Sequence, residues 1–420
     1  MVSRILLIMD EVNFGGAEMS LFTLCQALAR RCTVHLVLYE GSLRNSSIRE
    51  WCDSLEDASV TLHRCRTPLF LGPRRNLHRW LRRKASRQLA ALIDEVHPDA
   101  VLVNLPVVER GQAALDAAEL ARTTVPVWGY LHSAHRPTTT GARLRIRDML
   151  VPRLLRRFNN RLLTISVTAS HDLSRRYGVA AAGIMYPPIP TYGERLTSSD
   201  RERLRAAAGL SNDFLLGIVG RVHLQHKGQD AALRVVGRLH TAGYPVHLVV
   251  IGDGPDVAAL RVMAEQLRIA SSVSCLGWRQ DAGQLIPLLD AVVITSRHEG
   301  MPLTALQAAA AQVPVVGYGI DGLVELLPAE FRVRYGDEPA LADTIGRMIS
   351  GDLIWPAERM SQRARTWSDP ERAANRLLDF VESAPAIPGS RDAMARVSRD
   401  DSPVSRQCTG ARTRGRYKTP

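Results

Sequence analysis

Short runs of β-branched and aliphatic residues alternate with longer segments that carry their apolar residues on one face, almost from end to end of the chain. In the first part, Arg4–Met9, Thr33–Tyr39, Val60–Arg64, Ala100–Asn104, Val125–His132 and Leu162–Ser166 predict strands, with helices between them such as Ala17–Arg30 and Asn76–Glu95. Runs that are apolar throughout belong to strands buried on both faces, as in a parallel sheet covered by helices. The alternation pauses at Tyr186-Pro187-Pro188-Ile189-Pro190 and the polar stretch Thr197-Ser198-Ser199-Asp200, which continue neither a helix nor a central strand. It restarts with strands at Phe214–Gly220, Val246–Ile251, Val273–Gly277, Ala291–Thr295 and Val313–Tyr318. Helices are expected between them at about Gly228–Ala242, Asp256–Ile269, Ala282–Leu289 and Pro302–Ala311. Two last helices, Ala357–Trp367 and Pro370–Ser383, precede a tail rich in Pro, Ser and Arg whose composition predicts disorder.

The expected fold class is therefore α/β, with two doubly wound, Rossmann-like parallel-sheet domains. Residues 1–188 form the first domain, 189–210 a linker and 211–368 the second domain. Residues 369–383 are expected to return as a helix to the first domain, and 384–420 to form a disordered basic tail. In such sheets ligands bind beyond the carboxyl ends of the strands, so the loops there are where chemistry is sought.

Composition narrows the function class. With 45% hydrophobic and 23% charged residues the chain has the balance of a soluble globular protein. No apolar stretch reaches the ~18 residues that a membrane span needs. The run Ile5–Met9 is too short for a secretory leader, so a cytoplasmic location is expected. The six cysteines (Cys25, Cys32, Cys52, Cys65, Cys275 and Cys408) form no CxxC pair, which argues against a zinc site or a disulfide framework. The net charge of +12 is concentrated in two segments. One holds Arg64, Arg66, Arg74, Arg75, Arg79, Arg82, Arg83, Lys84 and Arg87 without an acid, and the other runs through Arg143, Arg145, Arg147, Arg153, Arg156, Arg157 and Arg161 with only Asp148. Such patches attract phosphate-bearing partners, including an anionic membrane surface, although a solvated arginine face accounts for them equally well. Aromatic interleaving is missing, so nucleic acid is not expected as a partner.

The most informative stretch is Ser296-Arg297-His298-Glu299-Gly300-Met301-Pro302-Leu303-Thr304-Ala305-Leu306-Gln307. A buried strand ends, a loop carries the Glu299 carboxylate, and a helix opens at Pro302, where the missing N–H costs nothing. Amides near Met301 to Leu303 then favour an anion, and Gln307 lies one turn beyond Leu303 on the same face. Gly220-Arg221 ends one strand and Lys227-Gly228 opens the following helix, so a forked and a point cation can converge on one diphosphate. Among 54 basic residues only Lys84, Lys227 and Lys418 are lysines, so a chain that otherwise writes Arg has kept Lys at 227. Gly252-Asp253-Gly254-Pro255 forms a βα turn, and Trp278 either stacks on a base or caps the core. In the first domain Asn13-Phe14-Gly15-Gly16-Ala17-Glu18 links strand to helix with two glycines that admit close approach of a ligand. His132 ends a strand, with His135 three residues on.

The stretch from Glu299 to Gln307 resembles the Glu-x7-Glu signature of the retaining family 4 glycosyltransferases. The resemblance extends over roughly residues 1–383 and is most specific in the second half. It implies the GT-B arrangement, in which the two domains face each other across a cleft. It also implies a nucleotide diphosphate sugar as donor, with neither metal nor other cofactor. By it Glu299 lies beside the transferred sugar, Arg221 and Lys227 neutralise the leaving diphosphate, and His132 contacts the donor sugar. Gly15, Gly16, Gly220, Gly252, Gly254, Gly300, Met301, Pro302 and Leu303 surround the donor, and Trp278 sits by its base. The second acid of the signature, which holds the ribose hydroxyls, is replaced here by Gln307, whose amide bonds a hydroxyl without charge assistance. A lipid-linked or cell-surface glycan acceptor is expected, with peripheral attachment to the inner face of a membrane through the Arg-rich domain. The competing readings are a nucleotide-sugar epimerase, a phosphorylase, or a binding protein weakened in turnover at Gln307.

Overall fold

Residues 2–9, 14–69, 78–135, 150–190, 196–210 and 213–385 are described by the computed structural model. Asn13, Arg74, Arg75, Arg143, Arg145, Arg147, Asp148 and the tail from residue 386 lie outside the described residues, as does the side chain of Arg79.

The apolar runs of the first part assemble a seven-stranded sheet in the order β3-β2-β1-β4-β5-β6-β7. The strands are β1 Arg4–Ile8, β2 Thr33–Tyr39, β3 Thr61–Cys65, β4 Ala100–Leu105, β5 Val127–Leu131, β6 Leu162–Thr164 and β7 Gly183–Ile184. Every pairing is parallel, and the central β1 sets Ile5 opposite both Val34 and Ala100. β4 and β5 are buried along their whole length because helices cover both faces. The second sheet has six strands in the order β10-β9-β8-β11-β12-β13, again all parallel. They are β8 Phe214–Val219, β9 Val246–Ile251, β10 Val273–Cys275, β11 Ala291–Ile294, β12 Val315–Tyr318 and β13 Arg332–Val333. Strand order reverses between β1 and β4 in one sheet and between β8 and β11 in the other, and the crevice for a ligand opens at such a reversal.

One apolar core runs through both lobes and joins residues such as Ile5, Leu24 and Ile165 to Leu215, Met301 and Leu306. The far face of each sheet has a separate core. Helices Ala357–Ser368 and Pro370–Ser383 carry the chain back to the first lobe. There Glu371 binds Arg30 at 2.8 Å and Arg31 at 2.7 Å, and Arg376 donates to the Ile184 carbonyl of β7.

Three local expectations are revised. The polar stretch at Thr197 opens a helix, Ser198–Ala207, because the Thr197 hydroxyl caps it by accepting from the Asp200 amide at 3.1 Å. That helix is tied to the second lobe by Arg201 and Arg205, which bind Asp290 at 2.8 and 2.7 Å. The segment Ala282–Leu289 splits into a helical turn, Ala282–Leu285, and a 3-10 turn, Ile286–Leu288, at Pro287, which has no N–H to donate. Pro302 stands one position outside its helix, as the cap of Leu303–Ala310. The basic segments are also partly neutralised. Asp116 and Glu119, on helix Gln112–Leu120, hold Arg157, and Asp116 also holds Arg82.

Candidate active site

Between the lobes lies a cleft of about 1650 Å³. His132, Gly15 and Gly16 line it from the first lobe. Gly220, Arg221, Lys227, Gly252, Gly254, Trp278, Glu299, Gly300, Met301, Pro302, Leu303 and Gln307 line it from the second. All but Lys227, at the end of a short helical turn, and Gln307, one turn into its helix, follow a strand or open a helix at the carboxyl edge of a sheet, so residues spread over the chain meet at the two strand-order reversals.

A close ion pair in this cleft joins Lys227 and Glu299. Lys227 Nζ lies 2.6 Å from Glu299 Oε1, and the Ser296 hydroxyl donates to the same oxygen at 2.6 Å. The side chains are only 25% and 12% exposed, so water screens the pair weakly. Burial raises the Glu299 pKa, but the charge and hydrogen bond of Lys227, with that of Ser296, outweigh it and hold the carboxyl below its ordinary value. The carboxylate is therefore ionised and the ammonium is held at the cleft floor. The Arg221 side chain is exposed at the cleft, and its carbonyl accepts from Gln229 Nε2 at 2.9 Å.

Close backbone packing builds the surroundings. Gly252 has φ +148°, and a Cβ there would meet the Gly220 carbonyl at 2.0 Å. Only glycine lets the loops after β8 and β9 touch in this way. Helix Leu303–Ala310 has no side-chain cap, and since the Ala305 amide already donates to the Pro302 carbonyl, the Leu303 and Thr304 N–H groups are the ones available to an anion. Gln307, one turn in, is buried and donates to Met19 Sδ of the first lobe at 3.5 Å. Trp278 is 46% exposed, which rules out the core-capping role and leaves its indole at the cleft rim.

The first lobe contributes a neutral imidazole. His132 Nε2 lies 2.8 Å from Asn104 Oδ1, while Asn104 Nδ2 donates to the Ala17 carbonyl at 3.4 Å. In this network Nε2 carries the hydrogen and Nδ1 is the acceptor. Burial pushes the His132 pKa down to about 3. A Cβ on Gly300 would come within 1.8 Å of the His132 carbonyl, so the loop that carries Glu299 rests on the backbone of the opposite lobe. Ser166 adds a hydrogen bond to the Gly300 carbonyl at 3.1 Å.

Several participants had not been singled out as site residues. Asn104, at the end of β4, orients His132. Asp321, whose loop after β12 (Asp321-Gly322 to Glu325) echoes the family in sequence, was given no role there and accepts from the Glu299 amide at 2.7 Å. Gln26, Asn45, Glu50 and Trp51 line the first-lobe wall, where Trp51 packs on Phe22. Their common signal is position at the carboxyl edge of a sheet or on the helices beside it, which sequence spacing alone does not resolve.

Known proteins resemble this chain in sequence and fold. The family profile described as "Glycosyltransferase Family 4" matches residues 14–191, and "Glycosyl transferases group 1" matches residues 213–351. A 2-deoxystreptamine glucosyltransferase of Streptomyces kanamyceticus is 29% identical over 211 residues, which are 49% of this chain and 49% of that protein. A D-inositol 3-phosphate glycosyltransferase of Corynebacterium urealyticum is 30% identical over 209 residues, 46% of this chain and 48% of that one. The chain thus spans about half the length of these curated relatives. Among solved structures, Anabaena HepE in complex with UDP and glucose superposes with a TM-score of 0.73 at 20% identity, covering 90% of this chain and 99% of that one. At that identity the likeness establishes the fold. One profile takes in most of the first lobe and the other most of the second, on a fold that HepE shares. The chain belongs to the family 4, group 1 glycosyltransferases, with the two-lobed GT-B architecture.

Proposed function

We propose that the protein transfers a sugar from a nucleotide diphosphate sugar to a hydroxyl of a glycan or lipid-linked acceptor, with retention at the anomeric carbon. The observation that carries this reading is the Lys227–Glu299 pair at the cleft floor, beside the uncapped helix start at Leu303. In the transfer the anomeric carbon–oxygen bond breaks and its electron pair leaves with the diphosphate, while the acceptor oxygen forms the new bond and its hydroxyl proton passes to the departing diphosphate oxygen. Lys227, Arg221 and the first-turn amides of Leu303–Ala310 are the groups suited to stabilise the charge that develops on the leaving oxygen. Glu299, ionised beside them, is suited to face the sugar. The acceptor enters along the first-lobe wall of Gln26, Asn45, Glu50 and Trp51. HepE, whose structure contains UDP and glucose, supports the donor class, and the names of the two relatives support a polyhydroxylated acceptor.

No helix among the described residues is long and apolar enough to cross a membrane. Exposed Arg64, Arg66, Arg83 and Arg87 on the first lobe suit peripheral contact with anionic lipid, which delivers a lipid-linked acceptor. The test is incubation with UDP-, GDP- and ADP-sugars and measurement of nucleoside diphosphate release, with and without candidate acceptors. Release from one donor, accelerated by an acceptor, is expected. Folded protein that neither binds nor cleaves any of them would contradict the proposal.

A further inference from the structure

Asp321 has φ +40°, a left-handed conformation that aspartate adopts more readily than most side chains. Its Oδ2 lies 2.8 Å from His135 Nε2 and 4.0 Å from His298 Nδ1, and the two imidazole centroids are 4.3 Å apart. The three residues come from three loops. His135 follows β5 in the first lobe, His298 follows β11 and Asp321 follows β12 in the second. One ligand atom from each lies within 4.8 Å of the others. His135 Nδ1 is buried and has no hydrogen-bond partner, and Asp172 Oδ2 stands 3.9 Å from it.

We propose that His135, His298 and Asp321 form a binding site for a zinc-class divalent cation that bridges the two lobes. Two imidazoles and one carboxylate are a donor set suited to zinc, with a fourth position left for water. Tetrahedral zinc with bonds of about 2.0–2.1 Å places its ligand atoms about 3.3 Å apart. The spans to Asp321 of 2.8 and 4.0 Å bracket that value and the two imidazole ligand atoms lie within 4.8 Å of each other, so shifts of about an ångström complete the site. Metal-bound histidines commonly give the second ring N–H to a carboxylate. His135 is set for this, with Nε2 toward the shared centre and Nδ1 toward Asp172. Asp321 Oδ2 also accepts the Glu299 amide, so a bound ion fastens the loop carrying Glu299 to the first lobe. Such a clamp holds the two lobes together, and its presence can be tested without observing sugar transfer.

The experiment is titration of the full chain with Co²⁺ and then Zn²⁺, followed by visible absorption and thermal unfolding. Wild type is expected to take up one equivalent with the spectrum of a four-coordinate nitrogen and oxygen site and to unfold at a higher temperature when loaded. His135→Ala and His298→Ala are each expected to lose at least about tenfold in affinity. Should His135→Ala fail to fold, His298→Gln carries the comparison, because that side chain is 40% exposed. The described cysteines, all free thiols, lie outside this cluster, so a thiolate-to-metal charge-transfer band would overturn the assignment. Absence of uptake by wild type, or equal affinity in the folded variants, would overturn it as well.

Discussion

The Lys227 ammonium and the Glu299 carboxylate constrain each other. Lys227→Ala leaves a nearly buried carboxylate without its counter-charge, which costs on the order of 3 kcal/mol, measurable by urea unfolding. On the proposed reaction the same change removes a cation from the place where the leaving diphosphate would gather charge, so kcat is expected to fall about 10²- to 10³-fold. His132 sets a pH dependence. Unfolded, its imidazole takes up a proton near its ordinary value of 6.5, whereas the buried ring resists until about 3. Between those values the unfolded chain binds more protons, so stability falls as pH falls, by up to about 1.4 kcal/mol per pH unit. Above about pH 6.5 this contribution is complete. His132→Asn is expected to flatten the slope of unfolding midpoint against pH, and an unchanged slope would place its origin elsewhere. Glu299, Arg221 and Lys227 were legible because each stands in a short contiguous motif. Asn104 was not, because its partner His132 is distant in sequence and meets it only when strand ends converge. His135, His298 and Asp321 have no local spacing to read, so their juxtaposition was not legible in the sequence.

At the scale of elements, the period of apolar residues located nearly every strand, and β9 matches its expected bounds from Val246 to Ile251. Caps were harder to read. Thr197 with Asp200 is a helix start that the neighbouring prolines obscured, and β7 is only two residues long. The helix Val167–Tyr177, whose own cap Ser166 accepts from the Ala169 amide at 3.0 Å, is capped a second time from the other lobe. Glu325 accepts from the Val167 amide at 3.1 Å, the Thr168 amide at 2.6 Å and the Tyr186 hydroxyl at 3.0 Å. Glu325→Ala is expected to lower stability by about 1–2 kcal/mol, the usual cost of losing a cap, and Glu325→Gln by less. Thermal unfolding of the two variants checks the order.

Across the whole molecule, the lobes meet through backbone contacts as well as side chains. Gly300→Ala would drive a methyl group against the His132 carbonyl, so the variant is expected to open the cleft. Small-angle scattering should then show a larger radius of gyration than for wild type. The alternation of strands and helices made the two-sheet architecture readable, since each sheet is built from contiguous chain. The charge distribution was less readable. Asp116 and Glu119 reach Arg82 and Arg157 only in the fold, so a segment without acids in sequence is partly neutralised in space. The central claim is that the cleft holds a nucleotide diphosphate sugar on Lys227. Calorimetric titration of wild type and Lys227→Ala with UDP-, GDP- and ADP-sugars tests it most directly. One donor should bind wild type with single-site stoichiometry and bind the folded variant at least about tenfold more weakly, the least expected for a lost charge-assisted contact of about 1.5–3 kcal/mol. Equal affinity in the two proteins, or no binding to folded wild type, would contradict it.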